Sequence, residues 1–492
     1  MTKNSSRTWS PQQEAIFDEF RTGTSKVVVV EARAGTGKTT TILEALNHAP
    51  ERDIVCCAFN KDIAEELKKR ISNPYAQAKT LHGLGNGILF SRRRDFKIEA
   101  SRGRTLAEKA IPEKNPPYDL ATLVADLASK GKGIAPLAES AEPLVQIALD
   151  FDLVPGADLL NDQEEPYTVE DVARYAFKAM MLAAEFDGTI DFDDMIYLPL
   201  RLKLAHPRFD LVVVDEAQDM NAAQLMLAQA VCKGRLVVVG DPRQGIYGFR
   251  GADTASFERF KTELGGKVLP LTVTYRCPRA VVALAQEIVP DYSAAPEAPE
   301  GVVSYLPSDK LVAEASPTNF VLSRSNAPLV NVCLKLLRAG KKAVVRGKKD
   351  VGKGILKLIE KLGAKNLVSL MKKLDKWEAS TIKVLEAQKR VPEATIDAIK
   401  DQAQIIRELA DGLTSIDELK TRMETLFSDN NIHNSVVCSS VHKAKGLEAE
   451  KVFVLASTLY PGKRKDTEEE NIHYVAVTRA KFELVMVDGR SF

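Results

Sequence analysis

"KVVVVEARAGTGKTTTILEAL", residues 26 to 46, passes through three patterns in succession. The valine run reads as a short strand buried on both faces, the kind found in parallel sheets. "ARAGTGKTT", residues 32 to 40, then fits the G-x-x-x-x-G-K-[ST] phosphate-loop pattern, with Ala32 at the first glycine position. A helical run follows from Thr39 to Leu46. In a strand–loop–helix of this kind the amides around Ala34, Gly35, Thr36 and Gly37 cradle phosphate oxygens at a helix N-terminus. Lys38 reaches the β/γ oxygens and Thr39 supplies a hydroxyl ligand for Mg²⁺.

A second strand end supplies what that chemistry lacks. In "LVVVDEAQD", residues 211 to 219, Asp215 can hold the Mg²⁺ through water and Glu216 can polarise an attacking water. An isolated Asp-Glu pair is commonly a helix cap, but beside a phosphate loop catalysis is the better reading. Arg276 in "TYRCP" and Arg479 in "YVAVTRA" are candidates for stabilising charge on a transferring phosphoryl group. "GDPRQGIYGFRGAD", residues 240 to 253, sets an amide (Gln244), two rings (Tyr247, Phe249) and a guanidinium (Arg250) on one loop. A turn needs only the Gly and Pro; the bland alternative is that the rings pack the loop onto the core.

The remainder of the chain extends the α/β pattern. Strand-like runs at 26–32, 53–59, 209–217, 235–241 and 267–276 alternate with helical patterns, and a second series follows at 319–324, 342–346, 435–442, 451–456 and 482–488. Two clusters of this kind predict two α/β domains with parallel sheets. Two helical stretches interrupt them. From Leu137 to Val172 there are ten acidic residues and no Lys or Arg, which disfavours phosphate tracking. From Lys341 to Lys376 there are twelve Lys/Arg against three Asp/Glu. That excess fits either a solvated helical face or a phosphate-contacting surface. The net charge of +1 does not decide between partners. Six scattered cysteines without metal spacing, a polar N-terminus and the absence of a long apolar run predict a soluble, intracellular, cytoplasmic protein without a membrane partner.

In order along the chain, "WSPQQEAI" (9–16), "ARAGTGKTT", "AFNKDIAEEL" (58–67), "TLHGLG" (80–85), "DFDDM" (191–195), "VVDEAQD", "GDPRQGIYGFRGAD", "TYRCP", "SSVHKAKGLEAEKVFVL" (439–455) and "EEENIHYVAVTRA" (468–480) resemble the UvrD/Rep family of superfamily 1 DNA helicases. The resemblance runs through nearly the whole chain. It implies two RecA-like P-loop NTPase domains, with ATP between them and DNA across their top. The first would comprise residues 1–84 and 190–279, interrupted by a helical insertion at 85–189. The second would comprise 280–346 and 431–492, interrupted by a shorter insertion at 347–430. No nuclease domain is expected after the last strand.

The family's roles carry over onto matching positions. Gln13 would read the adenine edge, Tyr275 would stack on the base, and Glu448 would hold the sugar or phosphate side. Gln244 would touch the γ-phosphate, with Arg276 and Arg479 as arginine fingers. For single-stranded DNA the resemblance implicates Phe59, Asn60, Thr80, His82, Tyr247, Phe249, Arg250 and His442; a lone histidine such as His82 is as readily structural. Thr40 stands where the family often has an arginine near the base, which predicts looser adenine selectivity. "AFNK" is one residue shorter than the usual form, and Phe249 replaces the usual Trp. The implied activity is that of a 3′→5′ ATP-dependent DNA helicase. It would be a monomeric motor using ATP and Mg²⁺ on single strands and single-strand/duplex junctions, with an unidentified loading partner. Two alternatives stay open: a single-strand translocase that does not unwind duplex, and an ATP-gated clamp on single strands.

Overall fold

The computed structural model describes residues 8–156, 159–248, 254–346, 351–386, 393–427, 434–460 and 467–489. The chain divides into two compact units, residues 1–272 and 273–492. Phe249 and Arg250 of the aromatic loop lie outside the described residues.

The first unit contains strands β1 (Val27–Ala32), β2 (Ile54–Ala58), β3 (Ala76–Thr80), β4 (Lys97–Ile98), β5 (Thr189–Ile190), β6 (Phe209–Val214), β7 (Cys232–Gly240) and β8 (Lys267–Leu271). Its main sheet has the order β3-β2-β6-β7-β1-β8, and every pairing in it is parallel. Side chains alternate across a strand, so a strand that is apolar throughout feeds two cores. Val29 joins one core with Val212, Val214 and Val238, while Val28 and Val30 join Val237, Val239 and Leu211 in another. Between β3 and β6 lies the first insertion, with helices Leu81–Arg92, Arg102–Ala110, Tyr118–Ile134, Glu142–Asp150 and Val169–Ala184 and the short parallel pair β4–β5. These helices bury a core of their own around Leu120, Val124, Ala176 and Met180.

The second unit contains β9 (Val273–Thr274), β10 (Ser293–Ala294), β11 (Val302–Pro307), β12 (Phe320–Ser323), β13 (Ala343–Val345), β14 (Val436–Ser440), β15 (Ala449–Leu455) and β16 (Ala480–Asp488). Its six-stranded sheet runs β11-β16-β15-β12-β14-β13, again parallel throughout. Helices Lys353–Leu362, Leu367–Glu386, Glu393–Ala410 and Ile416–Leu426 form the second insertion. Ile355, Leu370, Leu374, Ile406 and Leu409 from this insertion share one continuous core with Val321, Val330, Leu336, Cys438 and Phe453 of the sheet and its helices. Polar contacts reinforce that seam. Asp401 accepts from the amides of Asn326 (3.0 Å) and Ala327 (2.8 Å), at the N-terminus of helix Ala327–Arg338. Glu408 accepts from Asn331 at 2.9 Å.

The α/β class with parallel sheets is as expected, but some elements differ. The run 267–276 is not one strand: β8 ends at Leu271, and β9 pairs with β10 in the other unit. Gln12 pins the break, exchanging two 2.9 Å hydrogen bonds with the amide and hydroxyl of Thr272. The unit boundary accordingly falls at 272/273 rather than after 279. β3, "AQAKT", has no apolar run to announce it. It forms against the edge of β2, in register from Ile54 opposite Ala76 to Ala58 opposite Thr80.

Candidate functional site

Three neighbouring strands, β6, β7 and β1, end together at one edge of the first sheet. In open parallel sheets that carboxyl edge is where ligands bind. The β1 loop turns through left-handed backbone at Gly35 (φ 70°) and Gly37 (φ 78°), conformations that side chains disfavour. Thr36 braces the turn by donating from its hydroxyl to the Arg33 carbonyl at 2.9 Å. Helix Lys38–Ala45 then starts at Gly37 with no side-chain cap. Its first amides are left for a ligand, as an anion cradle requires. Ala34 is fully buried.

The two Mg²⁺ candidates lie together. Thr39 Oγ1 donates to Asp215 Oδ2 at 3.3 Å, so a hydroxyl and a carboxylate share one point beside the cradle. This oxygen pair suits a hard divalent cation that keeps several waters and takes its other ligands from phosphate. Asp215 is almost fully buried, and burial, followed by the neighbouring Glu216 charge, pushes its carboxyl up to about 6. Glu216 occupies the left-handed region (φ 53°), a local strain for a non-glycine residue. Its carboxylate lies 3.7 Å from Lys38 Nζ and accepts from Gln218 Nε2 at 2.6 Å.

A third carboxylate completes the group. Asp241, just after β7, is fully buried, and burial raises its carboxyl against the opposing charges of Lys38 and Arg33. It accepts from Gln244 Nε2 at 2.7 Å and from the Arg243 amide at 3.0 Å. Gln244 is therefore turned towards Asp241, a partner that its expected role at the γ-phosphate did not include. Gly240 makes room just before it: a Cβ there would lie 2.4 Å from Gln218 Oε1 and displace the side chain that accepts from the Asp241 amide. Asp241, Gln218 and Arg33 belong to the site and were not assigned from the sequence. For Asp241 the glycine-acid-amide pattern after a valine strand is the signal; Gln218 and Arg33 lie inside the two motifs already singled out.

Gln13 lies against the loop but is not free to read a base edge in this structure. It closes a capping box with Ser10 and donates from its side-chain amide to Thr41 Oγ1 at 2.9 Å. Thr40 has an arginine beside it: Arg70, from helix Lys61–Arg70, donates to Thr40 Oγ1 at 3.3 Å. No sequence signal links the two, because they are 30 residues apart and meet only through packing.

The single-strand candidates of the first unit gather at the same edge, after β2 and β3. Phe59 is partly buried against the core, and Asn60 caps helix Lys61–Arg70 by accepting from the Ile63 amide at 2.9 Å. Thr80 caps the next helix, accepting from the Gly83 amide at 3.0 Å. His82 is held below its ordinary range by burial, opposed by Asp193. Tyr247 is half-buried on the β7 loop. Asn60 and Thr80 thus cap helices whatever else they contact. "TLHGLG" needs its second glycine for packing: a Cβ at Gly85 would sit 1.9 Å from the Met195 carbonyl oxygen. "DFDDM" is a buried ion network, with Lys132 2.8 Å from both Asp191 and Asp194 and Arg102 3.3 Å from Asp194.

The second unit supplies the remaining candidates. Arg276 Nε donates to Glu448 Oε2 at 2.6 Å, so two residues assigned separate nucleotide roles are paired with each other. Tyr275 beside them is half exposed. Arg479 is buried, donating from Nε to the Val475 carbonyl at 2.8 Å and from Nη2 to Thr478 Oγ1 at 3.1 Å. Burial, then the nearby Arg276 charge, lowers its guanidinium to about 10. His442 stands in the short helix Val441–Ala444 that follows β14.

Known proteins resemble this sequence. Residues 9–265 match the family model described as UvrD/REP helicase N-terminal domain, and residues 344–490 match the UvrD-like helicase C-terminal domain. The F-box DNA helicase protein 1 of Schizosaccharomyces pombe is 24% identical, over 97% of this chain and 57% of that protein. The ATP-dependent DNA helicase PcrA of Staphylococcus epidermidis is 28% identical, over 57% of this chain and 39% of its own length. The ATP-dependent DNA helicase srs2 of S. pombe is 24% identical, over 78% of this chain and 46% of its own. The chain thus spans from 39% to 57% of the length of these relatives. No described helix is long and apolar enough to cross a membrane. The first match alone covers more than half of the sequence, and the chain belongs to the UvrD/REP helicase family.

Proposed function

We propose that the chain is an ATP-driven motor that moves 3′→5′ along single-stranded DNA and separates duplex ahead of it. The observation that carries this reading is the convergence of the Gly35–Lys38 cradle, the Thr39–Asp215 pair and Glu216 at one sheet edge, beside the loops that bear Phe59, Asn60, Thr80 and His82. Lys38 and the helix amides hold the β- and γ-phosphates. Thr39 and Asp215 would hold Mg²⁺, which would neutralise charge on the phosphate oxygens. Glu216 orients the attacking water and takes its proton, with Gln218 fixing the carboxylate. Arg276 and Arg479 stabilise the transferring phosphoryl group, with Arg276 oriented by Glu448 through Nε and its Nη donors left for phosphate. Strand binding at these loops rests on rings and cations and is independent of sequence.

A strand-displacement assay on a 3′-tailed duplex tests the whole reading. ATP-dependent product release, with ATP hydrolysis strongly stimulated by single strands, is expected; a 5′-tailed duplex should be a poor substrate. Hydrolysis and strand movement without displaced duplex would leave the bare translocase. One observation favours that second reading: the second insertion is fused to its sheet by a common core, as a buttress would be.

The same assay examines the insertion's basic face. Lys373 is a poor choice for charge reversal, because its ammonium caps helix Lys353–Leu362 by donating to the Leu362 and Gly363 carbonyls at 2.8 and 2.9 Å. Lys372 and Lys376 are exposed and are the cleaner pair. Lys372→Glu with Lys376→Glu should slow unwinding about tenfold or more and leave hydrolysis on short single strands within about twofold of wild type, since two phosphate contacts become repulsions. Parallel loss of both activities would make the face structural.

Arg70 is proposed to take over near the base where the family's arginine is absent at Thr40. Arg70→Ala should raise the KM for ATP about fivefold and leave kcat nearly unchanged, the signature of binding lost equally from ground and transition states. An unchanged KM would leave Arg70 as a structural partner of Glu66, 2.7 Å away.

A further inference from the structure

The first insertion holds a cavity of about 430 Å³ between helices Arg102–Ala110 and Tyr118–Ile134, with Phe192 and Asp193 on its wall. That volume is within the ~300–1,000 Å³ range of small-ligand sites. The wall carries an aromatic platform prepared in advance. Tyr118 is 70% exposed, so most of its ring is open to a ligand. The Arg104 guanidinium lies over that ring, 3.7 Å from its centroid. Arg104 is itself fixed, donating to Glu108 at 2.8 Å and to Thr122 at 3.2 Å. One face of the tyrosine is thus covered by a cation and the ring stays open to solvent elsewhere. Along the same wall Asp126 is exposed and makes no hydrogen bond or ion pair among the described residues, and partial desolvation raises its carboxyl against the opposing charge of Lys130. The neighbouring Ser129 hydroxyl, by contrast, is taken up by Asp193 at 2.5 Å.

Taking the single-strand reading above as its basis, we propose that this cavity is a subsite for one base of single-stranded DNA. Tyr118 is the stacking platform and Asp126 accepts from the exocyclic amine of the base. Three features favour a base over other occupants. A tyrosine backed by an arginine presents a flat, polarisable surface that stacks on any π-face. A carboxylate acceptor selects a ring carrying an amine, and it repels a phosphate, so the backbone runs outside on the Arg104 side. The cavity also adjoins the proposed strand track, because Asp193 on its wall is close enough to His82 to act on the imidazole. Cytosine, adenine and guanine carry the amine; thymine does not.

Binding of equal-length dC, dA and dT oligonucleotides to the full chain at one salt concentration tests the subsite, with 2-aminopurine placed along the strand to report stacking. Tyr118→Ala should weaken strand binding about 5- to 100-fold and abolish one position of 2-aminopurine quenching, at unchanged nucleotide affinity and unfolding temperature. Asp126→Asn should remove the preference for dC over dT and leave dT binding within about twofold. Wild-type strand binding matched by both variants overturns the subsite alone. A wild-type chain that binds no single strand overturns the proposed function, and the subsite with it.

Discussion

Lys38→Ala is expected to cut ATP turnover at saturating single-stranded DNA by about 10²–10³-fold or more, the scale on which losing a preorganised charge at the reacting centre is felt. The geometry gives two reasons. Lys38 is the cation that would meet the β/γ oxygens, and it is also the counter-charge that three carboxylates share. Its ammonium is 3.7 Å from Glu216, and it opposes the burial that raises Asp215 and Asp241. Without it, like charges face one another in a dry site and the carboxyls of Asp215 and Asp241 rise further. Phosphate binding should therefore weaken, since the cation that meets the β/γ oxygens is gone. Strand affinity without nucleotide should stay within about threefold of wild type, because Phe59, Asn60, Thr80 and His82 follow β2 and β3 rather than β1. Phosphate release and equilibrium strand binding, measured on the same preparation, check both halves. Turnover within about tenfold of wild type would remove the phosphate loop from the mechanism.

Asp215→Asn should separate stability from function. The Asp215 carboxyl sits near 6, raised chiefly by burial, against an ordinary 3.8. The folded state then holds this proton more tightly than the unfolded chain does between about pH 4 and pH 6. The cost of ionising Asp215 is absent below that window and complete above it, so this residue makes wild-type stability fall as pH rises through it. A neutral isostere keeps an acceptor for the Glu216 amide, 2.9 Å from Oδ1, and removes the buried charge. At pH 8 the variant should be more stable by about 1–3 kcal/mol, from 1.36 kcal/mol for each pH unit by which the carboxyl is raised. It should also have lost the corresponding slope between pH 4 and 6. Hydrolysis should fall by at least about 10²-fold, since the ligand that would hold Mg²⁺ is gone. Thermal unfolding of both proteins across pH 4–8, without nucleotide or Mg²⁺, decides it. Superimposable pH profiles would mean that Asp215 is not destabilised in the native state.

Stability given up at a site in this way is a common mark of function, and the strained backbone of Glu216 belongs to the same pattern. Glu448 holds the Arg276 guanidinium through Nε at 2.6 Å, which fixes its orientation and leaves its Nη donors for another acceptor.

Local pattern was legible in the chain before any folding. The valine strand, glycine loop and helix at 26–46 are announced by contiguous residues that carry the apolar run, the positive-φ glycines and the helix start, although β1 takes its ladder hydrogen bonds from β7 and β8. The same holds for Asp215 and Glu216 after β6, and for the alternation of apolar runs with helices that predicts two parallel sheets. Everything else came from packing. β3 carries no strand signal of its own and pairs along β2. The run 267–276 divides between two units because Gln12, 260 residues away, takes the amide of Thr272. Gln244 turns to Asp241, Arg70 comes to Thr40, and Lys373 caps a neighbouring helix. Residue type limits which hydrogen bonds a polar side chain can make, but its actual partner is whichever complementary group the packed chain brings within about 3 Å.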